Sequence, residues 1–247
     1  MEELLEEVKF GNDKKLPDKT KRLLITNYIV LAVLFFINIC ACVFFATNGK
    51  TENIFEQNIL KVVEIKVTND ESTFAHATGF FIDSKGTILT NKHVVVNAET
   101  NENYTSVYVR TATQEEYTKA EIIKVSTTDD LAMIKVDFKK TKHFKFAETP
   151  TNGETVYTIG NPNGFGLSFT SGVVSINSRN VVHNGKTINT LQTSLVIGEG
   201  NSGGPVFNND GKLVGIISFR LKDSENEVIQ GCSFALPVEK INSFINS

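Results

Sequence analysis

Residues 200–219 read GNSGGPVFNNDGKLVGIISF. Gly200–Pro205 surrounds one serine, Ser202, with glycines. Pro205–Phe207 and Leu213–Phe219 are short apolar runs, and Asp210-Gly211 between them is a turn signal because both residues tolerate positive φ. The stretch therefore predicts a loop that exposes a hydroxyl and then leads into a β-hairpin.

Working outward, the same pattern recurs. Short runs at Lys61–Val67, Thr78–Ile82, Thr87–Thr90, Ser106–Thr111, Ala120–Val125 and Leu131–Val136 are followed by Glu154–Ile159, Phe169–Ile176, Thr187–Thr193 and Ser233–Leu236. Many are rich in Val, Ile, Thr, Tyr and Phe, which suit a pleated surface. Asn152-Gly153 and Asn184-Gly185 are further hairpin signals. About a dozen short strands at this spacing predict an all-β sandwich or barrels. Only Pro237–Asn246 has helical spacing, with Val238, Ile241, Phe244 and Ile245 on one face and a proline at its start.

Composition narrows the function classes. The chain has 247 residues, 40% apolar and 21% charged, so it is not disordered as a whole. A net charge of −3 gives no general reason to expect nucleic-acid binding, which normally needs a clustered basic face. Three cysteines exclude a disulfide-built scaffold, and Cys232 alone lies outside the apolar run described next, so it is expected as a small core or pocket residue.

That run is residues 23–46, LLITNYIVLAVLFFINICACVFFA, which carries no charge. As a helix it would rise roughly 36 Å, enough to cross a hydrocarbon core of about 30 Å. Lys14, Lys15, Lys19, Lys21 and Arg22 crowd its N-terminal side, whereas only Lys50 follows closely. Basic flanks stay in the cytoplasm, so residues 1–22 are expected as a cytoplasmic tail, 23–46 as an uncleaved signal anchor, 47–57 as a polar linker and 58–247 as an extracytoplasmic domain. A cleaved signal peptide is the rival reading, but it calls for a shorter apolar core. Within the tail, Glu2–Val8 has the pattern of a short amphipathic helix.

Three segments carry chemistry. Serine is a weak nucleophile unless a base takes its proton and donors hold the resulting oxyanion; the glycines around Ser202 permit a tight turn that aims backbone N–H groups at one point. His93 lies in Thr90–Val95, at the end of a predicted strand, and Asp130 starts another in Asp129–Ile134. Each has a bland reading alone: a glycine loop, a structural histidine, a strand-start carboxylate. Together, in the order His93, Asp130, Ser202, they match the chain order of chymotrypsin-type triads. His76, His143 and His183 show no metal spacing and are expected at the surface. Gly160–Gly166 lacks the ending of a phosphate loop and reads as a turn. No metal or cofactor is expected.

The chain resembles the HtrA/Deg-like branch of the chymotrypsin-fold serine proteases. Thr90-Asn91-Lys92-His93-Val94-Val95 is similar to that branch's histidine motif, and Asp130-Leu131-Ala132 to its aspartate motif. Residues 156–164 (VYTIGNPNG), 170–175 (TSGVVS) and 233–237 (SFALP) resemble further segments in the family's order. The likeness covers about residues 58–247. It implies two perpendicular six-stranded β-barrels with the triad between them. It implies an oxyanion hole from the Gly200-Asn201-Ser202 turn, through the N–H groups of Gly200 and Ser202. It also aligns Ser218, Phe219 and Arg220 with the strand that pairs with an extended substrate, and Val196 with the base of the primary pocket, whose walls would be Phe219, Gly231 and Ser233. An apolar, small-to-medium residue is then expected before the scissile bond.

The departures carry expectations of their own. Family members commonly carry a PDZ domain after the protease; none follows here, so regulation through one is not expected. Gly198-Glu199 replaces the usual Asn-Pro, so the loop is expected to be mobile until substrate or a partner orders it. Family members are often trimers; Ile54, Phe55, Ile59 and Leu60 would carry such a homotrimer contact or pack on their own barrel. The reading is a membrane-tethered serine endopeptidase acting on polypeptide segments. A protease-like binding module without turnover and an esterase using the same triad are the alternatives.

Overall fold

The computed structural model describes residues 17–247 except Glu71, Asn184, Asp223, Ser224 and Asn226, with the backbone alone along 45–53 and at Lys222 and Gln230. The expected Glu2–Val8 helix, and Asn184 of the expected Asn184-Gly185 turn, lie outside the described residues. There are two compact units, one ending at Glu52 and the other beginning at Asn53.

The first unit is dominated by helix α1, Asp18–Ile59, which continues to its end in the second unit. Its Asp18–Phe44 part is long and apolar enough to cross a membrane; an 18-residue window within it has mean hydropathy 2.4 and no buried residue. Leu31, Phe35 and Phe36 are among the exposed side chains. Residues 47–57, expected as a linker, lie within α1.

The second unit is built on two closed antiparallel barrels. In the first, the neighbours run β1 (Val62–Thr68), β2 (Ala75–Phe81), β3 (Thr87–Thr90), β6 (Ala132–Lys135), β5 (Thr118–Val125), β4 (Ser106–Thr111) and back to β1. In the second they run β10 (Pro205–Asn208), β11 (Leu213–Lys222), β12 (Val228–Pro237), β9 (Lys186–Thr193), β8 (Ser168–His183), β7 (Thr155–Gly160) and back to β10. Twelve strands were expected, and twelve form at those places.

Strand alternation explains three cores rather than two. Val63, Ile65, Phe81, Ile88, Ala132 and Ile134 fill the first barrel. Their chain neighbours Val62, Phe80, Leu89, Leu131 and Met133 point the other way, as a period of two requires. They meet Tyr157, Ile159, Phe207, Leu213 and Leu236 from the second barrel in a shared core. Val156, Val174, Leu191, Val206, Val214 and Ala235 fill the second barrel. The shared core fixes one barrel against the other, because both faces of the contact strands are buried.

A single helical turn, α2 (Lys92–Val95), follows β3, and α3 (Val238–Asn246) ends the chain. Ile241 and Phe244 of α3 enter the shared core. Lys124 Nζ donates to the α3 carbonyl of Phe244, 2.7 Å, where a cation complements the helix C-terminus. Ile54, Phe55 and Ile59 pack against the same core, with Phe55 edge-on to Phe169 at 5.6 Å.

Three strands of the second barrel exceed their expected ends by three residues or more. β8 runs on from Ile176 to His183, β11 from Phe219 to Lys222, and β12 begins at Val228 rather than Ser233. The added residues form hairpin arms that follow no apolar alternation. The β8–β9 arm is held by polar cross-strand bonds: Asn189 Nδ2 donates to Ser178 Oγ at 2.9 Å, and Thr190 Oγ1 to Arg179 O at 2.9 Å.

Candidate active site

His93 is carried by α2, whose Val94 and Val95 are buried in and against the first barrel core. This anchoring leaves the imidazole facing outward, 46% exposed. Asp130 lies just before β6. Its neighbour Asp129 is tied to Lys240 of α3, and its own carbonyl accepts from Asn91 Nδ2 at 3.0 Å. The two side chains meet: His93 Nδ1 is 2.8 Å from Asp130 Oδ2 and 3.0 Å from Oδ1, and His93 N–H donates to Oδ1 at 3.0 Å. Ser218 Oγ, from β11, donates to Oδ2 at 2.8 Å. Three donors thus converge on one carboxylate.

The electrostatics follow from this convergence. Burial pushes the Asp130 carboxyl up, but the His93 bonds and charge and the Ser218 hydroxyl outweigh it and hold it below the usual carboxylate range. Partial burial pulls His93 down, yet the hydrogen bond to Asp130 and its charge prevail and lift the imidazole above its ordinary value. An imidazole tied at Nδ1 to an acceptor keeps its proton there and offers Nε2 as the basic nitrogen.

Ser202 comes from the loop before β10. Ser202 O accepts from Thr78 N at 3.0 Å, and Gly203 N donates to Ile217 O at 3.0 Å. Gly203 has φ +81, and a Cβ there would lie 2.2 Å from both Thr78 O and Thr90 Oγ1. Only glycine permits this approach, which brings Ser202 alongside the turn that carries His93. Among the described residues Ser202 Oγ makes no hydrogen bond to His93; such bonds tighten when substrate binds.

The donors for an oxyanion are sorted by the loop itself. Asn201 N–H is committed to Gly198 O at 3.2 Å, so Asn201, expected with the oxyanion group, is not a donor to it. Among the described residues the N–H groups of Gly200 and Ser202 have no internal acceptor. The loop is also strapped down. Thr78 Oγ1 donates to Gly200 O at 2.6 Å and accepts from Asn161 N at 2.9 Å. Asn163 N donates to Glu199 O at 2.8 Å, and a Cβ on Gly200 would lie 2.1 Å from Asn161 O.

Behind that strap is a buried carboxylate. Glu64 of β1 accepts from Arg110 Nη2 at 3.0 and 3.1 Å, from Tyr117 Oη at 2.9 Å and from Asn161 Nδ2 at 3.3 Å. The first barrel therefore holds the turn that holds the oxyanion loop. Sequence reasoning missed this network. The available signal was a lone Glu inside the apolar run VVEIKV.

The specificity residues are less uniform. Across β11 and β12, Phe219 pairs with Phe234 and Arg220 with Ser233, and Ser233 is buried with its Oγ 2.6 Å from Thr193 Oγ1. Gly231 is exposed at φ +67. Arg220 reaches the opposite loop, donating to Ile197 O at 3.1 Å. Val196 departs from its expected place: it is 60% exposed while Leu195 and Ile197 beside it are buried, so it does not floor an enclosed pocket. Ser218, expected only on the substrate strand, also orients Asp130. Among the described residues no three His, Cys, Asp or Glu side chains gather to hold a metal.

Comparison with known proteins agrees with this geometry. The family model described as trypsin-like peptidase domain matches residues 77–216, more than half the chain. A probable periplasmic serine endoprotease, DegP-like, of Pseudomonas putida (strain W619) is 37% identical over 164 residues, covering 66% of this chain and 32% of that protein. The mitochondrial serine protease HTRA2 of Drosophila erecta is 34% identical over 178 residues, covering 70% and 39%. The chain thus matches about a third of each relative's length. The HtrA-type protease AlgW, solved with a tripeptide, superposes with a TM-score of 0.70 at 24% identity, over 79% of this chain and 62% of that one, which speaks for the fold. On these grounds the chain belongs to the trypsin-like peptidase family, as an HtrA/DegP-like serine protease domain.

Proposed function

We propose that the protein is a membrane-tethered serine endopeptidase that cleaves exposed, extended segments of polypeptides outside the cytoplasm. The observation that carries this reading is a pair of half-sites. One is the His93–Asp130–Ser218 chain; the other is the Ser202 loop, in which, among the described residues, the N–H groups of Gly200 and Ser202 have no internal acceptor.

In this mechanism Ser202 Oγ attacks the substrate carbonyl while His93 Nε2 takes its proton. The carbonyl oxygen becomes an oxyanion held by Gly200 and Ser202 N–H. His93 then gives the proton to the leaving amine, the C–N bond breaks, and an acyl ester remains on Ser202. Water, deprotonated by the same imidazole, attacks the ester and restores the hydroxyl. Asp130 holds the tautomer and stabilises the imidazolium. Substrate adds as a strand to Ser218–Arg220, so main-chain geometry is read before sequence. The uncovered apolar helix Asp18–Phe44 supports tethering, and its basic N-terminal flank supports an orientation with the catalytic unit outside.

Digestion of an unfolded protein by the detergent-solubilised chain, set beside Ser202→Ala, tests the reading. Fragments from the wild type alone are expected. Ester turnover without peptide cleavage would favour an esterase, and neither activity would favour a silent binding module.

A further inference from the structure

The β8–β9 hairpin ends at the paired residues His183 and Lys186, and Val182 at its tip is exposed. His183 instead turns inward. Its imidazole lies flat on the ring of Phe219, with centroids 4.0 Å apart and planes 9° apart. Phe219 also stacks on buried Phe234, at 5.1 Å and 11°. Two rings parallel to a third at these distances take its opposite faces. Both faces of Phe219 are therefore covered, one by the barrel core and one by the hairpin tip.

The position of this stack matters because Phe219 follows Ser218, which bonds Asp130. His183 is within electrostatic reach of both triad partners: burial lowers its pKa, Asp130 opposes that, and His93 adds to it. An extended substrate paired antiparallel to Ser218–Arg220 places one residue opposite Ser218, beside the triad, with its carbonyl presented to Ser202. The preceding residue then lies opposite Phe219, and directly opposed side chains share a face of the ladder. That side chain meets the edge of Phe219, the His183 ring and His93.

We propose that His183 is a specificity-determining residue, which closes the subsite for the second residue before the scissile bond and confines it to small side chains. The inference rests on the endopeptidase reading above. It assigns a role to a histidine that spacing alone leaves at the surface, and the ring stack is what brings it to the site. Removing the imidazole would uncover one aromatic face beside His93, a surface suited to a larger apolar side chain.

The test uses the full detergent-solubilised chain and a peptide library varied at the second residue before the cleaved bond. Wild type should prefer Gly, Ala or Ser there. His183→Ala should raise kcat/KM for Leu and Phe relative to Ala by about tenfold, the scale of one or two methylenes in an apolar pocket. His183→Phe keeps the stack and should keep the wild-type preference. The preference at the residue next to the scissile bond should stay fixed in all three. Identical profiles for wild type and His183→Ala would overturn the inference, as would a His183→Phe profile that shifts like His183→Ala. A library left uncut by the wild type would overturn the endopeptidase reading, and the inference with it.

Discussion

The two barrels use the same topology for different ends. Strands of the first are four to eight residues long and close tightly on Val, Ile and Phe. It supplies His93 and Asp130 from short connections at strand ends, and the Glu64 cluster that braces its neighbour. The second barrel has the same closure but overruns it: β8 has sixteen residues, β11 and β12 ten each. It supplies Ser202 from a glycine loop and the strand that would receive substrate. In the proposed mechanism, one barrel would fix the proton-transfer pair, and the other would carry the nucleophile and the strand that receives substrate. The shared core between them sets the distance, so damage should differ in kind according to which side it strikes.

The largest effects should fall on the pair that bridges the barrels. Ser202→Ala and His93→Ala are each expected to lower kcat by about 10⁶-fold, since residues acting as one unit fail together. Neither side chain supports the core, so thermal unfolding of both should stay near wild type. A large loss of thermal stability in either would mean that its role is structural.

Asp130→Asn comes next, with a loss of about 10⁴-fold in kcat. It also has a signature in pH. Activity needs neutral His93, so the rate should fall as pH drops through the raised pKa of that group. With the Asp130 charge gone, burial alone acts on the imidazole and the acid limb of kcat/KM should move to lower pH. Stability runs the other way for His93: its contribution is full below the ordinary histidine pKa and is lost as pH rises through the raised value. For Asp130, whose pKa is depressed, the contribution is present above the ordinary carboxylate value and is lost as pH falls through the folded one. An unmoved acid limb in Asp130→Asn would assign the titration to another group.

Gly203→Ala tests the seam itself. The added Cβ at positive φ would collide with Thr78 O and Thr90 Oγ1, so Ser202 must shift away from the first barrel. A cost of about 1–3 kcal/mol in unfolding free energy is expected, from the positive φ alone, together with a fall in kcat/KM of about a hundredfold, the scale of a 1 Å misplacement. Preserved activity would show that the loop tolerates rearrangement. The smallest effect should be that of Ser218→Ala, which removes one of three donors to Asp130. A hydrogen bond to a charged group is worth about 1.5–3 kcal/mol, so unfolding free energy should fall by up to about that amount and kcat by about tenfold or somewhat more. Equal rates would confine Ser218 to substrate pairing.

Much of the first barrel was legible in the sequence, because β1, β3 and β6 are buried on both sides and short apolar runs mark them. The candidate residues Ser202, His93 and Asp130 could be named from the sequence for a related reason: each sits in a short run marked by glycines or by a strand end. The second barrel's arms were not, since their stability comes from cross-strand polar pairs such as Asn189 with Ser178 and from ring stacking, neither of which leaves a periodic trace. Glu64 was invisible because its partners lie 46 to 97 residues away along the chain. Asn201 sits in the expected oxyanion turn for a local reason: its N–H closes the turn, and among the described residues those of Gly200 and Ser202 have no internal acceptor. Val196 was misplaced because spacing from Ser202 says nothing about how open the loop around it stands.

The most direct measurement is covalent trapping. The detergent-solubilised chain would be treated with a fluorophosphonate, digested and mapped by mass spectrometry. A single adduct on Ser202 in the wild type, slowed by about a thousandfold or more in His93→Ala and absent in Ser202→Ala, is the result expected of an activated serine. A wild type that stays unlabelled, or that carries its adduct at another residue, would contradict the assignment of Ser202 as nucleophile and of His93 as its base.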